Sequence, residues 1–273
     1  MMHQGYNSSE YWNQRLIENF NLTGVGLLQA GSAYNQWLYK LRELAVNRAI
    51  RKYHIDLQGY HVLDIGCGTG YWIKYWKKKG ALSVSGIDIA EVSIKNLRQK
   101  YPDVVFINED VSNPQLTLAN SYDLISAFDV IYHIVDDEKW SAALHNVSRY
   151  LNSNGWFFFT DLFPHWEEYR IMHQYSRLLN CYENVFRHLE MEIVDRIPIC
   201  WLSAYPQDSN GRKRDLLMAI WRVNNISLYY SKRVGLSSLY GYLLGGMLYL
   251  ADAALTKIFP ESPSLELMIC KKK

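Results

Sequence analysis

Glycines stand at alternate positions, Gly66, Gly68 and Gly70, with Cys67 and Thr69 between them and an acid, Asp64, two residues ahead of the first. Glycine has no Cβ, so such a run lets the backbone turn sharply and approach a ligand closely. The residues before it, His61 to Ile65, form a short apolar run that reads as a strand. Tyr71 to Lys79 after it reads as a helix, so the loop joins a strand end to a helix start. The first turn of that helix offers free N–H groups. Dinucleotide enzymes use the spacing G-x-G-x-x-G, which this loop lacks. A carboxylate at position 64 would repel a pyrophosphate but suits a ligand with a positive amine and no phosphate.

S-adenosylmethionine fits that description: it carries an amine and a sulfonium. The segment Val62-Leu-Asp-Ile-Gly-Cys-Gly-Thr-Gly70 resembles motif I of class I S-adenosylmethionine-dependent methyltransferases. Asp88 closes the run Ser85-Gly-Ile-Asp-Ile-Ala90, where an α/β cofactor site places an acid on the ribose hydroxyls. A helix N-cap is its other possible role, and Ile89 follows it on the cofactor side. The resemblance implies that Asp110 meets the adenine amino group and that Val111 packs on the ring, with a helix cap before Ser112 as the alternative for Asp110. The segment Tyr122 to Ile134 resembles motif IV of small-molecule methyltransferases. It implies backbone contacts from Phe128 to the methionine moiety, with Asp129, Tyr132 and His133 at the mouth.

Methyl transfer from a sulfonium is an in-line displacement of an activated leaving group, so the protein chiefly supplies position and a dry site. A base is needed only when the nucleophile must lose a proton. His133 is the candidate, with an ordinary pKa near neutrality; a structural histidine bonded to a backbone carbonyl is the alternative. Tyr132 orients substrate or simply packs. The N-terminal Tyr11-Trp12-Asn-Gln-Arg15 resembles the cap helix of many relatives. Its rings would face the sulfonium and Arg15 the methionine carboxylate, unless the helix only packs on the surface. Tyr34, Trp37 and Arg42 belong to the same lid. Asp161 touches substrate or caps a helix. His165, Trp166, Tyr169 and His173 would share one face of a helix, at a His spacing unsuited to metal, and no metal is expected.

These residues must be held by a scaffold. Short apolar runs alternate with amphipathic stretches from Tyr60 onward: strands at His61–Ile65, Ser83–Ile87, Val104–Ile107, Tyr122–Ala127 and Trp156–Thr160, with helices at Tyr71–Lys79, Glu91–Tyr101 and Asp137–Leu151. The alternation predicts an α/β fold: a Rossmann-like, mostly parallel seven-stranded sheet with helices on both faces. Residues 1–58 read as an N-terminal helical cap broken at Leu22–Gly26, residues 59–200 as the cofactor-binding core, 201–262 as a helical insertion that caps the substrate, and 263–273 as the last core strand and tail. His165 to Glu190 reads as helix and Glu192 to Ile199 as strand. Leu239 to Ala251 is too short to span a bilayer and is interrupted by Asp252, so it reads as a buried helix, with a membrane-surface helix as the lesser reading.

A net charge of +2 gives no electrostatic case for nucleic acid. The turn Phe128-Asp-Val-Ile also departs from the Asn/Asp-Pro-Pro-aromatic turn of many base methyltransferases. The four cysteines have neither metal nor disulfide spacing, which suits a reducing, cytoplasmic compartment. Met1 to Gly5 shows no leader pattern. The expected activity is S-adenosylmethionine-dependent methyl transfer to nitrogen or oxygen of a small metabolite, including natural-product precursors. The alternatives are a lipid or glycan acceptor at a membrane surface, a non-catalytic S-adenosylmethionine-binding module, and an NAD-dependent oxidoreductase.

Overall fold

The computed structural model describes residues 6–273, so Met1 to Gly5, where no leader is expected, lie outside the described residues. The chain opens with helix α1 (Ser8–Glu18), whose N-cap Asn7 side chain accepts the backbone N–H of Glu10. A 3-10 turn (Leu28–Ala30) leads into the long α2 (Gly31–Lys52). There follow β1 (His61–Ile65), α3 (Tyr71–Lys78), β2 (Ser83–Asp88), α4 (Glu91–Lys100), β3 (Val105–Asn108) and β4 (Tyr122–Ala127). A 3-10 turn (Ile131–His133), α5 (Asp137–Tyr150) and β5 (Leu151–Asp161) come next. Beyond them lie β6 (Tyr169–Ile171), β7 (Gln174–Ser176), α6 (Leu179–His188), β8 (Met191–Pro198), α7 (Gly211–Arg233), α8 (Ser237–Ile258) and β9 (Glu266–Lys272).

Seven strands form one sheet in the order β3-β2-β1-β4-β5-β9-β8, with β9 alone antiparallel to its neighbours. This is the expected mixed α/β architecture. Strands covered on both faces read as continuous apolar runs; accordingly Val62 and Leu124 belong to one buried cluster while Leu63, Ile65 and Ile125 belong to the other. Chain order reverses between β1 and β4, so the loops that follow these two strands flank a crevice, the place where open α/β sheets bind ligands.

Two expectations need correction. The stretch from His165 to Glu190 is not one helix: β6 and β7 form an antiparallel hairpin, and only α6 is helical. The helical spacing of Trp166, Tyr169 and His173 is overridden there: Arg170 lies opposite Tyr175 across the hairpin, its guanidinium 4.5 Å from the ring centroid. Helix α8 is buried on one face only. Gly241, Gly245, Leu248 and Asp252 face inward, while Leu239, Leu243, Met247 and Leu250 are exposed.

Asp252, which interrupts the apolar run, is an anchor. Its carboxylate accepts the backbone N–H groups of Trp201, Leu202 and Ser203 at 2.8, 2.8 and 3.2 Å. Arg48 of α2 donates to the Ala253 carbonyl at 3.0 Å and to Thr256 Oγ1 at 2.9 Å, tying α8 to the core. Asp252→Ala leaves three amides without an acceptor. The expected loss is about 3 kcal/mol of unfolding free energy in urea titration, with the midpoint moving and the slope unchanged.

Candidate active site

A cavity of about 430 Å³ opens at the C-terminal ends of β1 and β4. The loop after β1 forms its floor. Gly66 and Gly68 take φ of +67° and +50°, and a Cβ on Gly66 would meet Val130 Cγ2 at 2.3 Å. The loop therefore needs glycine both for its left-handed backbone and for its approach to the chain after β4. Cys67 and Thr69 complete this wall. Gly70 lies off it: it packs beneath the α3 N-terminus, where a Cβ would strike Leu97 at 2.6 Å.

Five carboxylate residues stand on the cavity wall: Asp88, Glu109, Asp110, Asp129 and Asp136. Asp88, at the end of β2, accepts the Gly68 N–H at 2.7 Å and the Ala90 N–H at 2.8 Å, so it clamps the glycine loop to the sheet; it is not the N-cap of α4. Burial pushes its pKa up. Asp110 accepts the Ser112 N–H at 2.8 Å and hydroxyl at 2.6 Å through Oδ1, a local turn rather than a helix cap, while Lys139 lies 3.9 Å from Oδ2. Ile89, Val111 and Phe128 add apolar surface, and Phe128 stacks on Trp72 with centroids 3.8 Å apart.

Asp64 does not reach the cavity wall. It is buried beneath the loop, where Ser126 Oγ donates to Oδ1 at 2.8 Å and Oδ2 has no partner among the described residues. Burial raises its pKa to about 8. Arg15, expected to face a carboxylate, is engaged elsewhere: it donates to the carbonyls of Gly24, at 2.6 Å, and Gly26, and to Tyr11 Oη at 3.0 Å. The bends at Gly24 and Gly26 leave carbonyls pointing at α1, and its guanidinium satisfies them. Tyr11 also stays off the wall, stacked on His173 at 5.1 Å, whereas Trp12 does line it. Asp161 is fully buried away from the cavity and accepts the Tyr182 hydroxyl; burial raises its pKa to about 6.

Of the mouth residues, His133 and Asp129 line the cavity and Tyr132 does not. The His133 ring nitrogen Nδ1 lies 2.6 Å from the His173 carbonyl, so Nδ1 carries the proton and Nε2 is an acceptor. Burial lowers its pKa to about 4, so it is neutral at physiological pH. Trp12 meets its edge at 4.9 Å. Asp129, at φ +59°, pairs with Arg42 of α2, Nε to Oδ2 at 2.7 Å and Nη2 to Oδ1 at 3.1 Å, and also accepts Thr160 Oγ1 at 3.1 Å. A carboxylate so occupied orients its neighbours rather than accepting protons.

Several wall residues escaped the sequence reading: Tyr39 from α2, Tyr71 and Trp72 from α3, Val25 from the break, and Arg170 from the hairpin. The adjacency of Tyr71 and Trp72 to the glycine run was the one usable signal. The 201–262 insertion, expected to shape the pocket, contributes no residue to this wall. His165 pairs with Asp208 at 2.7 Å, apart from His173, and no metal-holding group of three His, Cys, Asp or Glu forms among the described residues.

A family model described as a methyltransferase domain matches residues 34–195, more than half of the chain. The chain belongs to that family. A ubiquinone biosynthesis O-methyltransferase of Neisseria meningitidis serogroup C is 27% identical over 114 residues, 40% of this chain and 47% of the relative. A ubiquinone/menaquinone biosynthesis C-methyltransferase of Campylobacter jejuni is 31% identical over 100 residues, 34% of this chain and 41% of that protein. The chain thus spans about half the length of the curated relatives it matches. The solved structure of magnesium protoporphyrin IX methyltransferase from Synechocystis PCC 6803 superposes with a TM-score of 0.55 at 14% identity, covering 97% of this chain and 95% of that one, which shows a shared fold. That Synechocystis structure holds S-adenosylmethionine, and the N-methyltransferase NodS from Bradyrhizobium japonicum, 12% identical with a TM-score of 0.52 over 98% of this chain and 99% of that one, holds S-adenosylhomocysteine; the cavity of this chain has a lining suited to such a ligand. Its wall sets the carboxylates of Asp88 and Asp110 beside the apolar surface of Ile89, Val111 and Phe128, and its cations Lys139 and Arg170 lie away from the glycine loop in sequence.

Proposed function

We propose that this domain transfers a methyl group from S-adenosylmethionine to an oxygen or nitrogen of a small molecule. Asp88 would accept from the ribose hydroxyls and Asp110 from the adenine amine, with Val111 and Ile89 against the ring. Gly66, Cys67, Gly68 and Phe128 would border the methionine moiety. When bound, the donor supplies an electrophilic methyl on a sulfonium. The chain's own residues then exclude water, with Trp12, Tyr39 and Trp72 closing the walls.

The observation that carries the reading is the joint placement of the glycine loop, Asp88 and Asp110 on one cavity with His133 at its edge. His133 refines it. A neutral imidazole with a pKa near 4 is too weak a base to take a proton from a free alkylammonium. It is basic enough to accept one from a hydroxyl whose oxygen is already gaining a methyl group, because that oxygen becomes strongly acidic. A hydroxyl acceptor is therefore favoured over an amine. The four cysteines are free thiols, three of them buried, which supports action in a reducing compartment such as the cytoplasm.

Calorimetry with S-adenosylhomocysteine and with NAD tests the first step: binding of the former alone is expected, and binding of NAD alone overturns the reading. Incubation with S-adenosylmethionine and a panel of phenols, alcohols and amines, read by mass spectrometry, tests transfer. Cofactor binding without turnover on any class would favour a non-catalytic binding module.

A further inference from the structure

Most of the large apolar side chains exposed on this molecule are concentrated on α7, α8 and the turn between them. On α7, Leu216, Val223, Ile226 and Tyr230 recur at helical spacing on one face. On α8, Leu239, Leu243, Met247 and Leu250 do the same, each at least 60% exposed. The two stripes converge on the turn, where Val234 and Leu236 are 67% and 56% exposed and directly follow Lys232 and Arg233.

Charge decides what such a surface would meet. Residues 211–259 carry Arg212, Lys213, Arg214, Arg222, Lys232, Arg233 and Lys257 against two acids, one of which is the buried Asp252. The hairpin is therefore at +5 while the whole chain is at +2, leaving the remainder net negative. None of these seven cations takes part in an ion pair among the described residues.

We propose that the α7–α8 hairpin is a docking surface for an anionic lipid bilayer, lying in the interface with its apolar stripes among the acyl chains and its cations on the headgroups. The alternative occupant, a second copy, would set one +5 hairpin against another. No helix among the described residues is long and apolar enough to cross a membrane, so the hairpin lies on the surface rather than spanning it. Arg48 ties α8 to α2 and Asp252 ties it to the backbone of Trp201 to Ser203, so α8 is fixed against the body of the molecule. The 3-10 turn Leu28–Ala30 packs on α7, and the break just before it supplies Val25 to the cavity wall. Docking would thus hold the cavity's N-terminal roof near the bilayer. This inference does not depend on the proposed reaction.

The test is co-sedimentation of the full chain with vesicles of phosphatidylcholine alone and of phosphatidylcholine with an equal part of phosphatidylglycerol. Binding to the anionic vesicles alone is expected, weakening as salt rises. Lys232→Gln with Arg233→Gln should weaken it roughly 10- to 30-fold, and Leu239→Gln with Leu243→Gln should weaken it at every salt concentration. Unchanged far-ultraviolet dichroism and unchanged S-adenosylhomocysteine binding in these surface variants separate the result from misfolding and from any failure at the cavity. Equal binding to both vesicle types, no binding at low salt, or self-association abolished by the leucine changes would each overturn the proposal.

Discussion

Asp88→Ala is expected to weaken S-adenosylhomocysteine binding by roughly 100-fold, about 2.7 kcal/mol. The carboxylate has two duties. It holds the glycine loop through the Gly68 and Ala90 amides, and it leaves lone pairs facing the cavity, where a ribose diol would donate. Charge-assisted hydrogen bonds contribute about 1.5–3 kcal/mol each, and the two freed amides add the cost of a loosened loop. Asp88→Asn should lie between, because an amide oxygen can still accept one of the two N–H groups. Calorimetry checks both variants. An Asp88→Ala affinity within threefold of the native value would remove this residue from the cofactor site.

His133→Ala is expected to lower kcat by about 10²- to 10⁴-fold on a hydroxyl acceptor while changing cofactor affinity little. The pH profile separates a proton acceptor from a packing role. The neutral imidazole is the active form, and burial places its pKa at about 4, so the native rate should keep its His133-dependent activity down to pH near 4 rather than lose it near 6.5. The alanine variant should lack that acid limb. A stability effect follows with the same sign. Between pH 6.5 and 4 the unfolded chain binds a proton on this histidine that the folded chain refuses, so folding weakens as pH falls through that window and the loss is complete below pH 4. If the variant turns over at the native rate with an identical profile, His133 serves only to tie the His173 carbonyl at the hairpin.

The loop and strand ends that carry the cavity were legible in the primary structure because each strand and the loop after it are neighbours along the chain. A strand, a tight loop and a helix follow one another within a few residues at His61–Lys78, so chain connectivity alone brings Gly66 and Gly68 to the strand end. Asp88, Asp110 and Phe128 end or follow strands in the same way, and parallel strand ends share one edge of the sheet. Alternation of apolar runs specified the sheet and its helices, because that pattern buries both faces.

What the tertiary structure decided is where side chains meet across long separations. Arg42 of α2 reaches Asp129, 87 positions away in the loop after β4, a meeting that nothing in the spacing of either segment announces. Arg15 turns to the carbonyls of Gly24 and Gly26, since unpaired backbone acceptors close by outcompete a distant ligand. The hairpin β6–β7 replaced a helix because cross-strand pairing of Arg170 with Tyr175 outweighed a weak helical pattern. Apolar composition alone made α8 read as core. Which of its faces is covered depends on α2 and on the Asp252 anchor, and neither contact is encoded within the helix itself. Local order is written in spacing along the chain; burial and partnership are collective properties that exist only once distant segments have packed.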